Sequence, residues 1–265
     1  MKPILLCLHG WGGSRESFTE LRAALKGSDL IILTPDLPGF GNEPQPPRAW
    51  TNDDYADWVE QWFDKELKTK NYKLKTIYLL GHSHGGRLAI ILATRKNQAT
   101  SPSTPLRTGN QLTSNISHLF LCAPAGIRRG QYLKRTVGWI MAKTGKLLLS
   151  VPIVAGRFQP LAKRLFYRLL HVHDYEVASP VMRQTMVLVT SQNMRPLLRD
   201  IKIPTDIFWG EDDQVTPLRD GQIAHREIEG STLHVYQNVR HRVHRDNAKE
   251  IAKIILSFLP ADQGS

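Results

Sequence analysis

Short runs of branched apolar residues alternate along the chain with longer amphipathic stretches. Runs that are apolar at nearly every position are typical of strands covered by helices on both faces. The predicted strands are Ile4–Leu8, Leu30–Leu33, Thr76–Leu80, His118–Cys122, Asp206–Trp209 and Thr232–Tyr236. Because strands alternate with helices, the pattern predicts an α/β fold with a mostly parallel sheet flanked by helices.

Capping signals and helical spacing indicate where the helices begin and end. Ser17-Phe18-Thr19-Glu20 has the form of a capping box, and Thr51-Asn52-Asp53-Asp54 opens a second helix. Further helices are predicted over residues 85–95 and 247–259. Each predicted helix lies between two strands or after the last one, as crossover connections require.

Two stretches interrupt this alternation. Residues 96–115 are polar and rich in Ser, Thr, Pro and Asn, which predicts a surface loop. Residues 126–195 show helical patterns but no convincing strand. We therefore expect a core domain formed by residues 1–125 and 196–265, with a helical cap inserted over residues 126–195.

The third predicted strand runs directly into Gly81-His82-Ser83-His84-Gly85, and a helix follows. A serine between a strand and a helix at this spacing is typical of a sharp turn that lifts its hydroxyl above the sheet. Glycines at both ends provide the dihedral freedom and the missing bulk that such a turn needs. The pattern predicts Ser83 as a catalytic nucleophile.

Three further motifs extend this picture over nearly the whole chain. Leu8-His9-Gly10-Trp11-Gly12-Gly13, Asp36-Leu37-Pro38-Gly39-Phe40-Gly41 and Trp209-Gly210-Glu211-Asp212-Asp213 resemble motifs of the α/β-hydrolase superfamily. The second departs from the family, because Asn42 follows where a serine is usual. The resemblance implies a Ser–acid–His order and an oxyanion hole formed by the backbone amides of Trp11 and His84. Asp36 is expected to order its loop and to take no part in catalysis.

The acid should follow a strand at the carboxyl edge of the sheet, where open α/β sheets place their ligands. No Asp or Glu occurs between Cys122 and Asp174, so the fourth predicted strand offers no candidate. Three acids follow the fifth strand at residues 211–213. The family spacing selects Asp213, with Asp212 as the alternative and Glu211 expected to face solvent.

Two histidines follow the last predicted strand, His241 and His244. In the family a Gly-His pair usually precedes the final helix, and a second His or an aromatic residue comes three positions later. This register selects His241 as the base and leaves His244 as a packing or surface residue. Arg240 departs from the pattern, since the family often has glycine there.

No metal or organic cofactor is expected. His9, His82 and His84 suggest a metal site only superficially, because they lack ligand spacing on one element. Cys7 and Cys122 lie within apolar strands and are expected to be buried free thiols.

The net charge of +11 is concentrated in one segment. Residues 127–173 carry ten Lys or Arg and no Asp or Glu, whereas the other 218 residues carry 25 basic and 24 acidic side chains. One interpretation is simply the solvated face of a cap. The other is that Arg128, Arg129, Lys134 and Arg135 bind an anionic partner, such as an acyl carrier protein, an acyl-CoA or an anionic membrane surface. No nucleic-acid-binding motif accompanies the charge.

These observations predict a carboxylesterase-like serine hydrolase acting on a small-molecule ester, with no cofactor. An acyltransferase, a thioesterase, a lactonase or a hydrolase of C–C bonds would use the same residues. Ser83 argues against the dehalogenase and epoxide-hydrolase chemistries of the family, which use an aspartate nucleophile. A non-catalytic binding protein of this fold is the alternative from another class. No signal peptide or membrane-spanning run is visible, which predicts a cytoplasmic setting.

Overall fold

A computed structural model describes residues 2–72, 76–98, 111–127 and 178–259. Its strands are β1 (Ile4–Leu8), β2 (Ile31–Leu33), β3 (Ile77–His82), β4 (Ile116–Cys122), β5 (Thr205–Gly210) and β6 (Thr232–Tyr236). They form one parallel sheet in the order β2-β1-β3-β4-β5-β6. The predicted α/β class with a parallel sheet is confirmed, and all six predicted strands are present.

The helices flank this sheet. They are α1 (Thr19–Ala24), α2 (Asn52–Lys70), α3 (His84–Gln98), α4 (Gln111–Asn115), α5 (Pro180–Ser191), α6 (Leu218–Glu227), α7 (Val243–Asp246) and α8 (Ala248–Ser257), with 3-10 turns at Arg15–Phe18 and Arg195–Asp200. α3 packs on β1, β3 and β4 and contacts α2, while α1 packs against α8. This arrangement covers the central strands and holds the start of α3 against the end of β3.

The central strands form the core. Every residue of β1 and β3 is buried, and the two strands pair in register from Ile4 opposite Ile77. Each fully buried aliphatic side chain contributes about 1.5–3 kcal/mol relative to its exposed state. β6 lies at one edge, where none of its five residues is fully buried. The near-continuous apolar runs of the sequence therefore correspond to strands covered on both sides.

The structure agrees with the predicted start of α2 and corrects the predicted start of α1. Thr51 caps α2 as predicted: its side chain accepts from the Asp54 amide, and Asp54 accepts from the Thr51 amide. The prediction of a capping box beginning at Ser17 is wrong. Ser14 is the cap and Ser17 its reciprocal partner, because the 3-10 turn Arg15–Phe18 precedes α1.

The prediction of a loop over residues 96–115 is wrong at both of its ends. α3 continues to Gln98, and residues 111–115 form α4. Leu112 and Thr113 are buried where α4 packs against α2 and α3, so tertiary contacts stabilise a helix that the polar sequence does not indicate. Residues 99–110 lie outside the described chain.

Most of the predicted cap, including Arg128, Arg129, Lys134 and Arg135, lies outside the described residues. α5 lies near the end of the predicted cap and is anchored to the core. The Trp50 amide donates to Thr185, and the Asn52 side chain donates to the Val189 carbonyl. The domain boundaries at 126 and 195 stay predictions. Among the described helices, none has the length and apolarity needed to cross a bilayer.

Candidate active site

Ser83 occupies a strained position between β3 and α3. Its φ angle is +51°, in the left-handed region that residues other than glycine rarely adopt. Three hydrogen bonds hold this backbone: the Ser83 amide donates to the Cys122 carbonyl (3.2 Å), and the Ser83 carbonyl accepts from the amides of Ala125 and Arg87 (3.0 and 3.3 Å). Such a conformation costs on the order of 1–3 kcal/mol and persists only where its surroundings fix it. Here the surroundings are the end of β4 and the turn after it.

The two glycines around this turn are required by close backbone approach. A Cβ at Gly85 would collide with the carbonyl oxygen of Leu8, and one at Gly81 would collide with the carbonyl oxygen of Gly85. Gly10 is equally constrained, since a Cβ there would lie 3.2 Å from the Ser83 Cβ. The predicted role of the glycines in the turn therefore has a direct geometric basis.

Asp213 and His241 meet at the carboxyl ends of β5 and β6. The Nδ1 atom of His241 lies 2.8 Å from Oδ2 of Asp213. The Asp213 side chain is fully buried, whereas Glu211 and Asp212 are both exposed. Of the three neighbouring acids, the structure brings only Asp213 to the imidazole.

The Asp213 carboxylate has four hydrogen-bond donors. Oδ1 accepts from the Val215 and Thr216 amides (2.8 and 2.9 Å), and Oδ2 accepts from the Thr216 hydroxyl and from His241 (both 2.8 Å). Burial raises the pKa of this carboxyl, but the donors, led by His241, outweigh burial and hold the pKa below its ordinary value. Asp213 is therefore a charged acceptor at neutral pH.

This charge fixes the protonation of His241. A carboxylate only accepts, so the Nδ1 atom of His241 must carry the proton. Nε2 of a neutral His241 then has a free lone pair, as a general base needs. Among the described residues, the Ser83 hydroxyl makes no hydrogen bond to His241 or to any other side chain. Catalytic hydrogen bonds are often long before substrate binds, so this does not exclude the pair.

His244 packs away from this chemistry. It is 1% exposed, and its ring lies 3.9 Å from the His82 ring and 5.4 Å from the Phe18 ring, centroid to centroid. Burial lowers the pKa of His244 to about 3, so it stays neutral. The packing role expected for His244 agrees with this position.

The amides of Trp11 and His84 are free donors. His84 is the first residue of α3, so its amide has no partner within the helix. Neither amide donates to another group of the described residues, whereas the next amide, that of Gly85, donates to the His9 carbonyl (3.0 Å). A helix N-terminus also favours negative charge. That these two amides form an oxyanion hole stays a prediction.

The other histidines of the motifs have structural partners. Nε2 of His9 accepts from the Leu37 amide (2.9 Å), so Nδ1 carries the proton and donates to the Gly10 carbonyl (2.8 Å). The His84 ring meets Trp11 and Tyr55 edge to face, and burial lowers its pKa to about 3. Within the described ranges, no group of three or more potential ligands could hold a metal ion.

Asp36 and the two cysteines lie where the sequence places them. Asp36 accepts from the amides of Arg15 and Asn42 and pairs with the Arg15 guanidinium (3.1 Å), which ties its loop to the segment before α1. Cys7 and Cys122 are buried free thiols, and burial raises both pKa values.

The fold agrees with comparisons to known proteins. A model of the alpha/beta hydrolase family matches residues 5–254. The chain belongs to the alpha/beta hydrolase family. An esterase structure from Exiguobacterium antarcticum superposes with a TM-score of 0.65 at 22% identity, covering 97% of this chain and 91% of the other. This likeness supports the fold alone.

Sequence relatives of this alpha/beta hydrolase are esterases and lipases. It is 26% identical over 271 residues to the pimeloyl-[acyl-carrier protein] methyl ester esterase of Neisseria meningitidis, covering 98% of this chain and 94% of the relative. It is 23% identical over 274 residues to monoacylglycerol lipase ABHD6 of Homo sapiens, covering 97% and 75%. The prediction of an enzyme of the esterase kind within this family is confirmed.

Two residues of the site were missed from the sequence. Thr216 donates to Asp213, and the His82 ring nitrogen Nε2 lies 3.0 Å from the backbone carbonyl of His241. A threonine three residues after an acid and a histidine before the serine carry no spacing signal of their own. The Thr216 contact with Asp213 is local to the turn after β5, whereas the His82 contact depends on how β3 and the loop after β6 converge.

Proposed function

We propose that this protein hydrolyses carboxylic esters through a covalent acyl-enzyme at Ser83. The observation that carries the proposal is the partly buried Asp213–His241 hydrogen bond at the same sheet edge as the strained serine turn. A charged acid, an imidazole with a free Nε2 and a serine at a strand-to-helix turn are the components of nucleophilic acyl transfer.

In the first step the Ser83 oxygen attacks the ester carbonyl while Nε2 of His241 takes the hydroxyl proton. The resulting imidazolium is stabilised by the Asp213 carboxylate, which stays ionised. The tetrahedral oxyanion accepts hydrogen bonds from the Trp11 and His84 amides. When it collapses, His241 returns the proton to the leaving alcohol, and Ser83 remains acylated.

Water then repeats the sequence. His241 takes a proton from the water as it attacks the acyl carbonyl, and the second oxyanion uses the same two amides. Collapse breaks the bond to Ser83, which recovers its proton from His241 and releases the acid. No step needs a metal or an organic cofactor.

The enzyme claim is tested by labelling Ser83 with a fluorophosphonate probe. We expect the wild-type protein to be labelled and Ser83→Ala to be unlabelled. Asp212→Asn and His225→Phe serve as controls for Asp213→Asn and His241→Phe, because both control positions are exposed and lie outside the hydrogen-bonded pair. A folded wild-type protein that is not labelled would contradict the proposal and favour a non-catalytic binding role.

Substrate class comes from the relatives and is part of the proposal. The relatives named above act, by name, on a monoacylglycerol and on a carrier-bound methyl ester. We therefore propose a small-molecule ester whose acyl group lies under the basic cap. Rates with p-nitrophenyl esters of increasing chain length measure the acyl preference. Product analysis with alcohol acceptors tests for an acyltransferase, and matched thioester, lactone and β-diketone substrates test for a thioesterase, a lactonase and a C–C hydrolase.

The basic segment gives this proposal a second component. We propose that Arg128, Arg129, Lys134 and Arg135 attract an anionic acyl carrier, since one relative acts on a carrier-bound ester. Reversing these four charges should lower kcat/KM for a carrier-bound ester, and added salt should do the same to the wild-type protein. If neither change alters kcat/KM, the charges form only the solvated face of a cap. If the protein binds anionic vesicles while kcat/KM for the carrier-bound ester is unaffected, the partner is a membrane surface. The cytoplasmic setting stays a prediction.

A further inference from the structure

His82 connects the turn that carries Ser83 to the loop that carries His241. It is the last residue of β3, directly before Ser83, and its Nε2 atom lies 3.0 Å from the backbone carbonyl oxygen of His241. The two residues are 159 positions apart in sequence. No side-chain hydrogen bond joins Ser83 to His241 among the described residues, so this contact is a direct polar link between the two segments.

The direction of the hydrogen bond follows from its acceptor. A carbonyl oxygen only accepts, so Nε2 of His82 must carry a hydrogen and donate it. Burial lowers the pKa of His82 well below its ordinary value, and the nearby His244 and His241 lower it further. His82 therefore stays neutral at working pH, and its single hydrogen is on Nε2.

The surroundings of the ring leave little freedom for another arrangement. One face of the ring packs on His244, at 3.9 Å between centroids and 35° between planes, and the His241 ring lies 4.9 Å away. Gly10 lies against the opposite nitrogen, since a Cβ there would be 2.9 Å from Nδ1 of His82. The ring is thus held with its Nε2–H directed at the His241 loop.

His241 is restrained at two points, its ring and its backbone. Asp213 binds Nδ1 of His241 and fixes the orientation of the imidazole, whereas His82 binds the backbone of the same residue. The contact with Asp213 orients the imidazole, and the contact with His82 fixes the position of the backbone that carries it relative to the end of β3. Because an error of about 1 Å in position can reduce a rate about 100-fold, the second restraint has a kinetic consequence.

We propose that His82 is a positioning residue that sets the distance between Ser83 and His241 through its hydrogen bond to the His241 carbonyl. This inference rests on the proposed acyl-enzyme function. It assigns His82 no contact with the substrate and no proton transfer. Its effect should therefore be on kcat, with KM for a short ester unchanged.

Two substitutions separate the hydrogen bond from the packing of the ring. His82→Gln places an amide nitrogen near the position of Nε2 and keeps the donor but loses the ring. His82→Phe keeps a ring against His244 but loses the donor. We expect His82→Gln to stay within about threefold of the wild-type kcat and His82→Phe to lose about tenfold or more. His82→Asn, whose amide is one carbon shorter and lies near Nδ1, should behave like His82→Phe.

The readouts are kcat and KM for a p-nitrophenyl ester of a short acid, the rate of fluorophosphonate labelling and the thermal midpoint. Labelling should slow in His82→Phe and His82→Asn in parallel with kcat, because attack by Ser83 depends on His241. If His82→Phe does not fold, the comparison of Gln with Asn still tests the donor. Equal losses in Gln and Asn, or full activity in Phe, overturn the positioning role. A wild-type protein without labelling overturns the proposed function instead.

Discussion

Thr216 offers a sharp test of how the acid–base pair is held. Its hydroxyl lies 2.8 Å from Oδ2 of Asp213 and 3.2 Å from Nδ1 of His241, and the residue is 6% exposed. Replacing it with valine keeps the shape of the side chain and removes only the donor. Both amides bound to Oδ1 and the His241 contact to Oδ2 remain, so the carboxylate falls from four donors to three.

The magnitude follows from the charge on the acceptor. A hydrogen bond to a charged group contributes about 1.5–3 kcal/mol, roughly twice a neutral one. We therefore expect Thr216→Val to lose up to about this amount of stability at pH 7. If the lost donor also loosens the pair during catalysis, the same energy corresponds to a fall in kcat/KM of about 10- to 100-fold. Thr216→Ser, which keeps the hydroxyl, should lose much less of both.

The loss of stability in Thr216→Val should depend on pH through the charge on Asp213. The pKa of Asp213 lies below its ordinary value of 3.8, so its ionised form stabilises the fold above that pH, and the contribution disappears as pH falls through the folded pKa. Thr216→Val should move this pKa upward. The variant should therefore be less stable than the wild type at pH 7, and the gap should narrow toward acid pH.

Urea unfolding at pH 7, pH 5 and pH 3 measures this gap, and ester hydrolysis at pH 7 measures kcat/KM. Unchanged slopes of the unfolding curves in urea are needed to attribute the shift in midpoint to stability. A stability difference between Thr216→Val and wild type that stays constant from pH 7 to pH 3 would refute the reasoning. The hydroxyl would then act through packing and not through the charge on Asp213.

Three other variants test separate parts of the structure. Burial raises the pKa of Asp206, but hydrogen bonds from two histidines outweigh burial and lower the pKa to about 2. Asp206→Asn should therefore lower the unfolding free energy by about 2 kcal/mol at pH 7. In acid unfolding this difference from the wild type should shrink below pH 4. Gly85→Ala should abolish labelling of the serine and lower the thermal midpoint, because its Cβ would collide with the Leu8 carbonyl; retained labelling would contradict the close approach. Thr51→Ala should lower the unfolding free energy by about 1 kcal/mol through loss of the α2 cap, whereas Thr51→Ser should not.

The strands and the order of the site residues could be predicted from the sequence because both depend on local patterns. The central strands β1, β3, β4 and β5 are buried at nearly every position and are therefore visible as apolar runs in the sequence. The outer strands β2 and β6 were also predicted, and β1 and β6 were predicted with their bounds. In a parallel sheet the carboxyl ends of the strands lie at one edge. Ser83, Asp213 and His241 each follow a strand, so the sequence alone predicts that they lie at the same edge. Their catalytic roles remain proposals.

Helix boundaries were less predictable where the local signal is ambiguous. Ser14 and Ser17 both precede an amphipathic stretch, and only the 3-10 turn between them decides which one caps. The α4 helix has a polar sequence, and it forms where Leu112 and Thr113 are buried against α2 and α3. In both cases packing supplied free energy that the residues themselves do not indicate.

The sequence alone determined the fold class, the family motifs and the candidate nucleophile, acid and base, because these follow from hydrophobic period and from spacing within single segments. Only the tertiary structure decided which of three neighbouring acids reaches His241, and that Thr216 and His82 support the pair. Thr216 lies only three positions after Asp213, but the contacts of Asp213 and His82 with His241 join segments that are 28 and 159 positions apart. Spacing within one segment carries no information on such contacts, since they depend on how the strand ends converge.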